Sequence, residues 1–220
     1  MASPFSLDNK VAIVTGGSRG IGRAIALALA QAGADVVVAA RKAEDLQATA
    51  QEIEATGRRA LALPTNVRQR ADLDNLVAQT LSKFGRLDIL VNNASTNPHF
   101  GPVDTAEEWQ LDVVMNTNVK AYFLLSVAAM RHMKEHGGGS IINVSSGGGI
   151  RYTRMLGLYC ISKAAEIMLT KVMATDWAQH NVRVNCVAPG LIKTEFSRAL
   201  WDNPQILEHR ITNTPMARVG

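Results

Sequence analysis

Short β-branched runs alternate with longer helical stretches along the chain. The runs are Val11-Ala-Ile-Val14, Val36-Val-Val38, Ala60-Leu-Ala-Leu63, Leu87-Asp-Ile-Leu-Val91, Ser140-Ile-Ile-Asn-Val144 and Val182-Arg-Val-Asn-Cys-Val187. Most are nearly continuous in apolar residues, the pattern of parallel strands covered on both faces. The stretches between them are helical and carry readable stops. Gly33, Gly57, Gly85 and Gly137 stand where a left-handed cap belongs, and Asn181 fits the same role. Thr105-Ala-Glu-Glu108 reads as a capping box that opens the helix of Trp109. A βαβαβ order of this kind predicts an α/β fold, a doubly wound parallel sheet with right-handed crossovers. Residues 1–220 read as a single domain, without linker, repeat or low-complexity segment.

Composition narrows the function classes. A chain of 220 residues is long enough for one well-buried core. No uninterrupted apolar run reaches the ~18 residues of a membrane span, and the first ten residues lack the basic-then-apolar pattern of a secretory leader. Cys160 and Cys186 form no C-x-x-C pair, which points to a reducing, cytoplasmic setting. The net charge of +4 is scattered, with no basic stripe interleaved with aromatics, so no nucleic-acid partner is expected. His132-Met-Lys-Glu135-His136 fits a metal-binding pattern. It lies in a last helical turn, where histidines complement the dipole, and no metal is expected.

The polar and glycine-rich oddities collect at the carboxyl ends of the predicted strands, where ligands sit in open α/β sheets. After the first strand comes Gly16-Gly-Ser-Arg-Gly20-Ile-Gly22, followed by an Ala-rich helix. Glycines let backbone approach a pyrophosphate, and the helix start offers free N–H groups. The second strand ends in Ala39-Ala40-Arg41-Lys42, with no carboxylate for a ribose hydroxyl. Arg41, helped by Arg19, supplies forked donors for a 2′-phosphate, which points to NADP(H) rather than NAD. The fourth strand ends in Asn92-Asn93-Ala94-Ser95, the fifth in Ser145-Ser146, and the sixth in Pro189-Gly190.

Tyr159-Cys-Ile-Ser-Lys163 makes the pattern specific. Together with Thr15-Gly16-x-x-x-Gly20-Ile-Gly22, Asn92-Asn93-Ala94, Ser146 and Pro189-Gly190, it resembles the short-chain dehydrogenase/reductase family from about Lys10 onward. The resemblance implies a Rossmann-type domain. It makes Tyr159 the general acid/base, Lys163 its activator, Ser146 the donor that polarises the substrate carbonyl and Asn118 the fourth catalytic member. In the family such an asparagine holds a water that links the lysine to solvent. It places Gly16, Ser18, Arg19, Gly20, Ile21, Gly22, Arg41, Asn66, Val67, Asn93, Ala94, Tyr159, Lys163, Pro189, Gly190, Ile192 and Thr194 around the cofactor. Asn66 stands where Asp is usual, and Ser95 where glycine is commoner. Tyr159 and Lys163 at i, i+4 share a helix face. A nearby ammonium and the positive nicotinamide ring favour the phenolate, so together they are expected to lower the tyrosine pKa.

The segments Asn97-Pro-His-Phe-Gly101 and Gly190-Leu-Ile-Lys-Thr-Glu-Phe-Ser197 are similar to the carbonyl and retinal reductase branch. The expected reaction is hydride transfer between NADP(H) and the carbonyl or alcohol group of a small organic substrate. A 3-oxoacyl-thioester reductase and a non-catalytic NADP-binding sensor are the competing readings. His99, Phe100, Phe196, Leu200 and Trp201 fit either a substrate lid or ordinary surface packing. The resemblance also implies a homodimer or homotetramer, and Ala164-Ala165 allows close helix packing. Where the family continues into one more helix and a last edge strand, this sequence stops at Pro215-Met-Ala-Arg-Val-Gly220; a shorter sheet and a longer chain both fit.

Overall fold

The computed structural model describes residues 4–220; Met1 to Ser3, part of the opening stretch without a leader pattern, lie outside the described residues. Six parallel strands form one sheet in the order β3-β2-β1-β4-β5-β6. They are β1 Val11–Thr15, β2 Asp35–Ala40, β3 Ala60–Pro64, β4 Ile89–Asn92, β5 Gly139–Val144 and β6 Val182–Val187. The helices are α1 Gly20–Gln31, α2 Ala43–Glu54, α3 Arg70–Phe84, α4 Glu108–Val114, α5 Ala121–Met133, α6 Gly157–Trp177, α7 Arg198–Trp201 and α8 Pro204–Thr212. All six strands fall on the predicted runs, and the sheet is the doubly wound one expected. The strand order reverses between β1 and β4, which opens a crevice beyond their carboxyl ends.

Alternation within each strand feeds two separate cores. Ile13, Val37, Leu90 and Ile141 face one side, against Leu76 of α3, Leu125 of α5 and Met173 of α6. Ala12, Val14, Val36 and Val38 face the other, against Ala26 and Ala30 of α1 and Leu46 and Ile53 of α2. Both faces being covered is why the runs carry no polar alternation. Each buried Val, Leu or Ile contributes roughly 1.5–3 kcal/mol, so the central strands anchor the domain.

Gly33, Gly57, Gly85, Gly137 and Asn181 all take left-handed backbone angles, as their cap positions require. Two local expectations shift. β4 begins at Ile89, and the carboxylate of Asp88 just before it accepts from the Val11 N–H and pairs with Arg86. The capping box is Glu107 with Gln110, not Thr105 with Glu108. The Thr105 hydroxyl is committed to the Pro102 carbonyl and to His99, so it closes a 3-10 turn.

Residues Glu108–Met133 run as one continuous helix, long and apolar enough by length and composition to cross a membrane. Half of that apolar window is buried inside the fold, where Leu125, Ala129 and Met133 join the core. The run escapes a count of consecutive apolar residues because Asn116, Asn118 and Lys120 interrupt it. Its middle, Met115–Lys120, is π-helical.

Candidate active site

The ends of β1 and β4 are laced together. The Thr15 hydroxyl accepts from the N–H groups of Asn93 and Ala94 at 2.9 and 3.1 Å. The Asn93 amide donates back to the Thr15 and Gly16 carbonyls. Asn93 therefore shapes the crevice with its side chain spent on protein. A Cβ at Gly22 would overlap the Gly16 carbonyl and the Asn93 amide, so close approach requires this glycine. Gly20 sits at φ +54, a conformation that side-chain-bearing residues rarely adopt.

Helix α1 starts directly from this turn. Its N-cap Arg19 is extended, makes no side-chain cap bond, and no acid occupies the first turn. The backbone N–H groups around Ser18 and Ile21 and the positive dipole end are left for a ligand, which fits a dinucleotide pyrophosphate. Arg19 and Arg41 are both exposed, and their side chains have no hydrogen-bond or ion-pair partner among the described residues. Asp35, the carboxylate of β2, lies at the opposite end of that strand and pairs with Arg58 and Arg59.

Other cofactor candidates differ in how they are engaged. The Asn66 side chain accepts from the Arg68 N–H at 3.3 Å, and the Asn66 N–H donates to Asp72 at 2.8 Å. Val67 packs on the core. The Pro189 carbonyl accepts from Gly147, tying the end of β6 to the turn after Ser146. Beyond Gly190, the Ser197 hydroxyl donates to the Ile192 carbonyl and Trp201 Nε1 to the Thr194 carbonyl. A Cβ at Gly20 would lie 3.3 Å from Thr194 Cγ2, so this segment reaches over the glycine turn. Phe196 follows it, half-exposed, with its ring 6.1 Å from that of Tyr159. Of the two readings open for the loop after β4, His99 takes packing, being buried and bonded to Thr105, while Phe100 is exposed. His132 and His136 stack just past the end of α5, and among the described residues no cluster of three or more His, Cys, Asp or Glu side chains is placed to hold a metal ion.

The four residues of the candidate catalytic set converge where β5, α6 and the π-helical segment meet. Ser146 follows β5, and its Oγ accepts from Gly148 at 3.1 Å. Tyr159 and Lys163 lie one turn apart on α6, with Lys163 Nζ 5.4 Å from the Tyr159 ring centre. Asn118 sits in the π-helical turn, a geometry that recurs at functional sites. Its amide is fully used: it accepts from Thr96 N–H and donates to the Thr96 carbonyl and to Ser162. The Asn118 side chain positions these neighbours and, among the described residues, makes no direct hydrogen bond to Lys163.

Lys163 has a partner that the sequence did not point to. Its ammonium is sealed from solvent, bonded to Glu166 at 2.9 and 3.1 Å and to the Val144 carbonyl at 3.1 Å. Burial pushes the Tyr159 phenol up to about 12, with a hydrogen bond from Ser146 opposing and Glu166 adding to the rise. Burial also raises Glu166 and lowers Lys163, both toward their neutral forms. Sequence reasoning missed Glu166. The available signal was an acid three residues after the lysine on the same helix face, among apolar residues.

Comparison with known proteins agrees with this geometry. The family model described as short chain dehydrogenase matches residues 10–205. The pig (Sus scrofa) protein named dehydrogenase/reductase SDR family member 4 is 42% identical over 214 residues, covering 97% of this chain and 77% of that protein. A solved structure from Beutenbergia cavernae, assigned as an NAD(P)-dependent gluconate 5-dehydrogenase with NADP bound at low occupancy, superposes with a TM-score of 0.93. It is 32% identical and covers 99% of this chain and 86% of its own. A 7α-hydroxysteroid dehydrogenase complexed with NADH and 7-oxo glycochenodeoxycholic acid gives 0.93 at 34% identity, covering 98% and 84%. Fold, strand-end chemistry and these likenesses agree, and the chain belongs to the short-chain dehydrogenase family of oxidoreductases.

Proposed function

We propose that the chain reduces the carbonyl group of a small ketone or aldehyde with NADPH, and runs the reverse oxidation at higher pH. The observation that carries this reading is the meeting of Ser146, Tyr159 and Lys163 at the carboxyl edge of the sheet, with Lys163 Nζ 5.4 Å from the centre of the Tyr159 ring. A phenol held near 12 is a proton donor at neutral pH, which suits reduction. Ser146, at hydrogen-bonding reach of the same phenol, orients the substrate oxygen and stabilises its developing charge. Lys163 holds the inner end of the site, and Asn118 fixes the loop and helix around it. The bound nicotinamide would supply the hydride; the protein supplies the proton and the geometry.

Arg41 and Arg19 support NADP(H) over NAD(H). Both guanidinium groups are free at the crevice, whereas the β2 carboxylate is engaged at the far end. Exposed Trp109, Phe123, Ile161 and Met168 on α4, α5 and α6 support self-association as a homodimer or homotetramer. Two free cysteines are in keeping with a cytoplasmic setting.

A panel of ketones, aldehydes and 3-oxoacyl thioesters, followed by NADPH absorbance, tests the proposal. Turnover of a simple carbonyl by wild type, lost in Tyr159→Phe, supports it. Thioester-only turnover selects the 3-oxoacyl reading. NADPH binding without turnover of any carbonyl overturns the enzyme reading in favour of a sensor.

A further inference from the structure

The amino edge of the sheet, opposite the crevice, carries a charged row of its own. Asn9 and Lys10 precede β1, Asp35 opens β2, Arg58 and Arg59 precede β3, and Arg86 and Asp88 precede β4. These four strands are neighbours in the sheet, so the segments that feed them lie side by side. Between them opens a cavity of about 270 Å³, lined by Asn9, Val11, Asp35, Arg58, Arg59 and Arg86. It is smaller than the roughly 300–1,000 Å³ of sites for drug-sized ligands, so it suits a small occupant.

Hydrogen bonding at this edge is one-sided. Asp35 accepts from the backbone N–H, Nε and Nη2 of Arg59 at 2.9, 2.8 and 2.6 Å, and pairs with Arg58 Nη2 at 3.1 Å. Asp88 accepts from the Val11 N–H, from Nε and Nη2 of Arg86, and from Lys10 Nζ. Both carboxylates are thereby filled, whereas a guanidinium has five N–H donors and no acceptor. Among the described residues, no hydrogen bond engages Nη1 of Arg58, Arg59 or Arg86. Arg58 Nε is sealed from solvent with no partner at all. Four cations, Lys10, Arg58, Arg59 and Arg86, meet two carboxylates, which leaves the edge with two positive charges in excess.

Arg58 and Arg86 also follow the ends of α2 and α3, where a cation complements the helix dipole. That role uses charge alone and leaves the spare forks, and the space between them, without a purpose. A forked guanidinium with free N–H groups matches the paired oxygens of a phosphate or a carboxylate.

We propose that this cavity binds a small multivalent oxyanion, whose phosphate or carboxylate oxygens are taken by the spare donors of Arg58, Arg59 and Arg86. The site lies at the far end of the strands from Tyr159 and the glycine turn, and it does not rest on the oxidoreductase reading.

Isothermal titration calorimetry with inorganic pyrophosphate and with citrate tests the site, at constant ionic strength because exposed charges are screened by salt. Wild type is expected to bind at least one probe saturably. Arg41→Asp, which alters the opposite edge, should bind it equally well. In Arg58→Gln/Arg86→Gln the affinity should fall by at least about tenfold, the loss expected for a charge-assisted bond. Asp35 keeps Arg59 in that variant, and Asp88 keeps Lys10 and the Val11 N–H, so neither carboxylate is stranded. Should the double variant fail to fold, Arg58→Gln alone carries the comparison. Arg58→Lys/Arg86→Lys keeps the charge and removes the forks, and weaker binding there supports forked recognition. Undiminished binding by the lysine variant means unspecific charge attraction and overturns the proposal. Binding lost in Arg41→Asp but kept in the glutamine variant places the probe in the crevice and overturns it too. So does the absence of saturable binding by both probes. Preference for pyrophosphate identifies a phosphate ligand and preference for citrate a polycarboxylate, and either supports the site.

Discussion

The side-chain amide of Asn118 spans both backbone groups of Thr96, accepting from its N–H at 2.9 Å and donating to its carbonyl at 3.0 Å. The same amide donates to Ser162, whose hydroxyl donates to the Tyr159 carbonyl. One buried residue thereby joins the loop after β4, the π-helical turn and the helix that carries Tyr159 and Lys163. The loop that bounds the site is held by backbone bonding from a side chain, without a salt bridge.

Asn118→Ala is expected to destabilise the fold as well as the site. It strands the Thr96 N–H and removes a partner of Ser162, and each lost partner in a buried setting costs about 1–3 kcal/mol. A domain of this size loses roughly 2–4 °C of melting temperature per kcal/mol. Calorimetry should show a drop on the order of 5 °C, with reduced turnover. An unchanged melting temperature would contradict the structural role.

Tyr159→Phe should remove turnover by about 10²–10⁴-fold, the usual reach of a positioned acid/base. NADPH affinity, measured by fluorescence titration, should change little, because the glycine turn and α1 remain intact.

Arg41→Asp tests the phosphate assignment. A charge-assisted bond contributes about 1.5–3 kcal/mol, equivalent to a ~10–100-fold loss of NADPH affinity. NADH affinity should hold or improve, since the new carboxylate suits a ribose hydroxyl. Equal NADPH affinity in wild type and variant would sink the role of Arg41.

Oxidation of the alcohol product should accelerate with pH. Tyr159 must be ionised to act as a base, and burial holds its phenol near 12. The oxidative rate is therefore expected to rise close to tenfold per pH unit through the neutral and mildly alkaline range. Reduction, which uses the protonated form, should stay level there. Initial rates in both directions across that range check the sign.

Acid stability should depend on Asp35. Arg59 and Arg58 hold its carboxyl below the usual carboxylate range, against the opposing effect of burial. A lowered folded-state pKa means stability that is present above the unfolded value near ~3.9 and is lost as pH falls through the folded value. Asp35→Asn should lower the melting temperature at neutral pH, and the gap from wild type should narrow at the most acidic pH values. A gap independent of pH would refute the ion-pair account.

The strands, the glycine turn and the Tyr159–Lys163 spacing were legible in the sequence because each depends on local chemistry. Continuous apolar runs report burial on two faces, and Gly16, Gly20 and Gly22 report backbone geometry that side chains forbid. The cap glycines behave the same way. The Thr105 capping box failed because its hydroxyl had a nearer partner in the Pro102 carbonyl, which a four-residue pattern cannot weigh. For His99 the sequence left a substrate lid and ordinary packing open, and burial with a bond to Thr105 decides for packing.

By itself, the sequence determined the sheet, the crevice at its carboxyl edge and the residues that could do chemistry there, since period and spacing encode which faces are buried. Only the tertiary structure decided their electrical state. Whether Lys163 meets Tyr159 as a bare ammonium or as half of a neutral pair depends on how deeply α6 is buried and on what shares that space. Burial places Glu166 in direct contact with Lys163, and desolvation there raises the carboxyl above the value that residue type alone supplies.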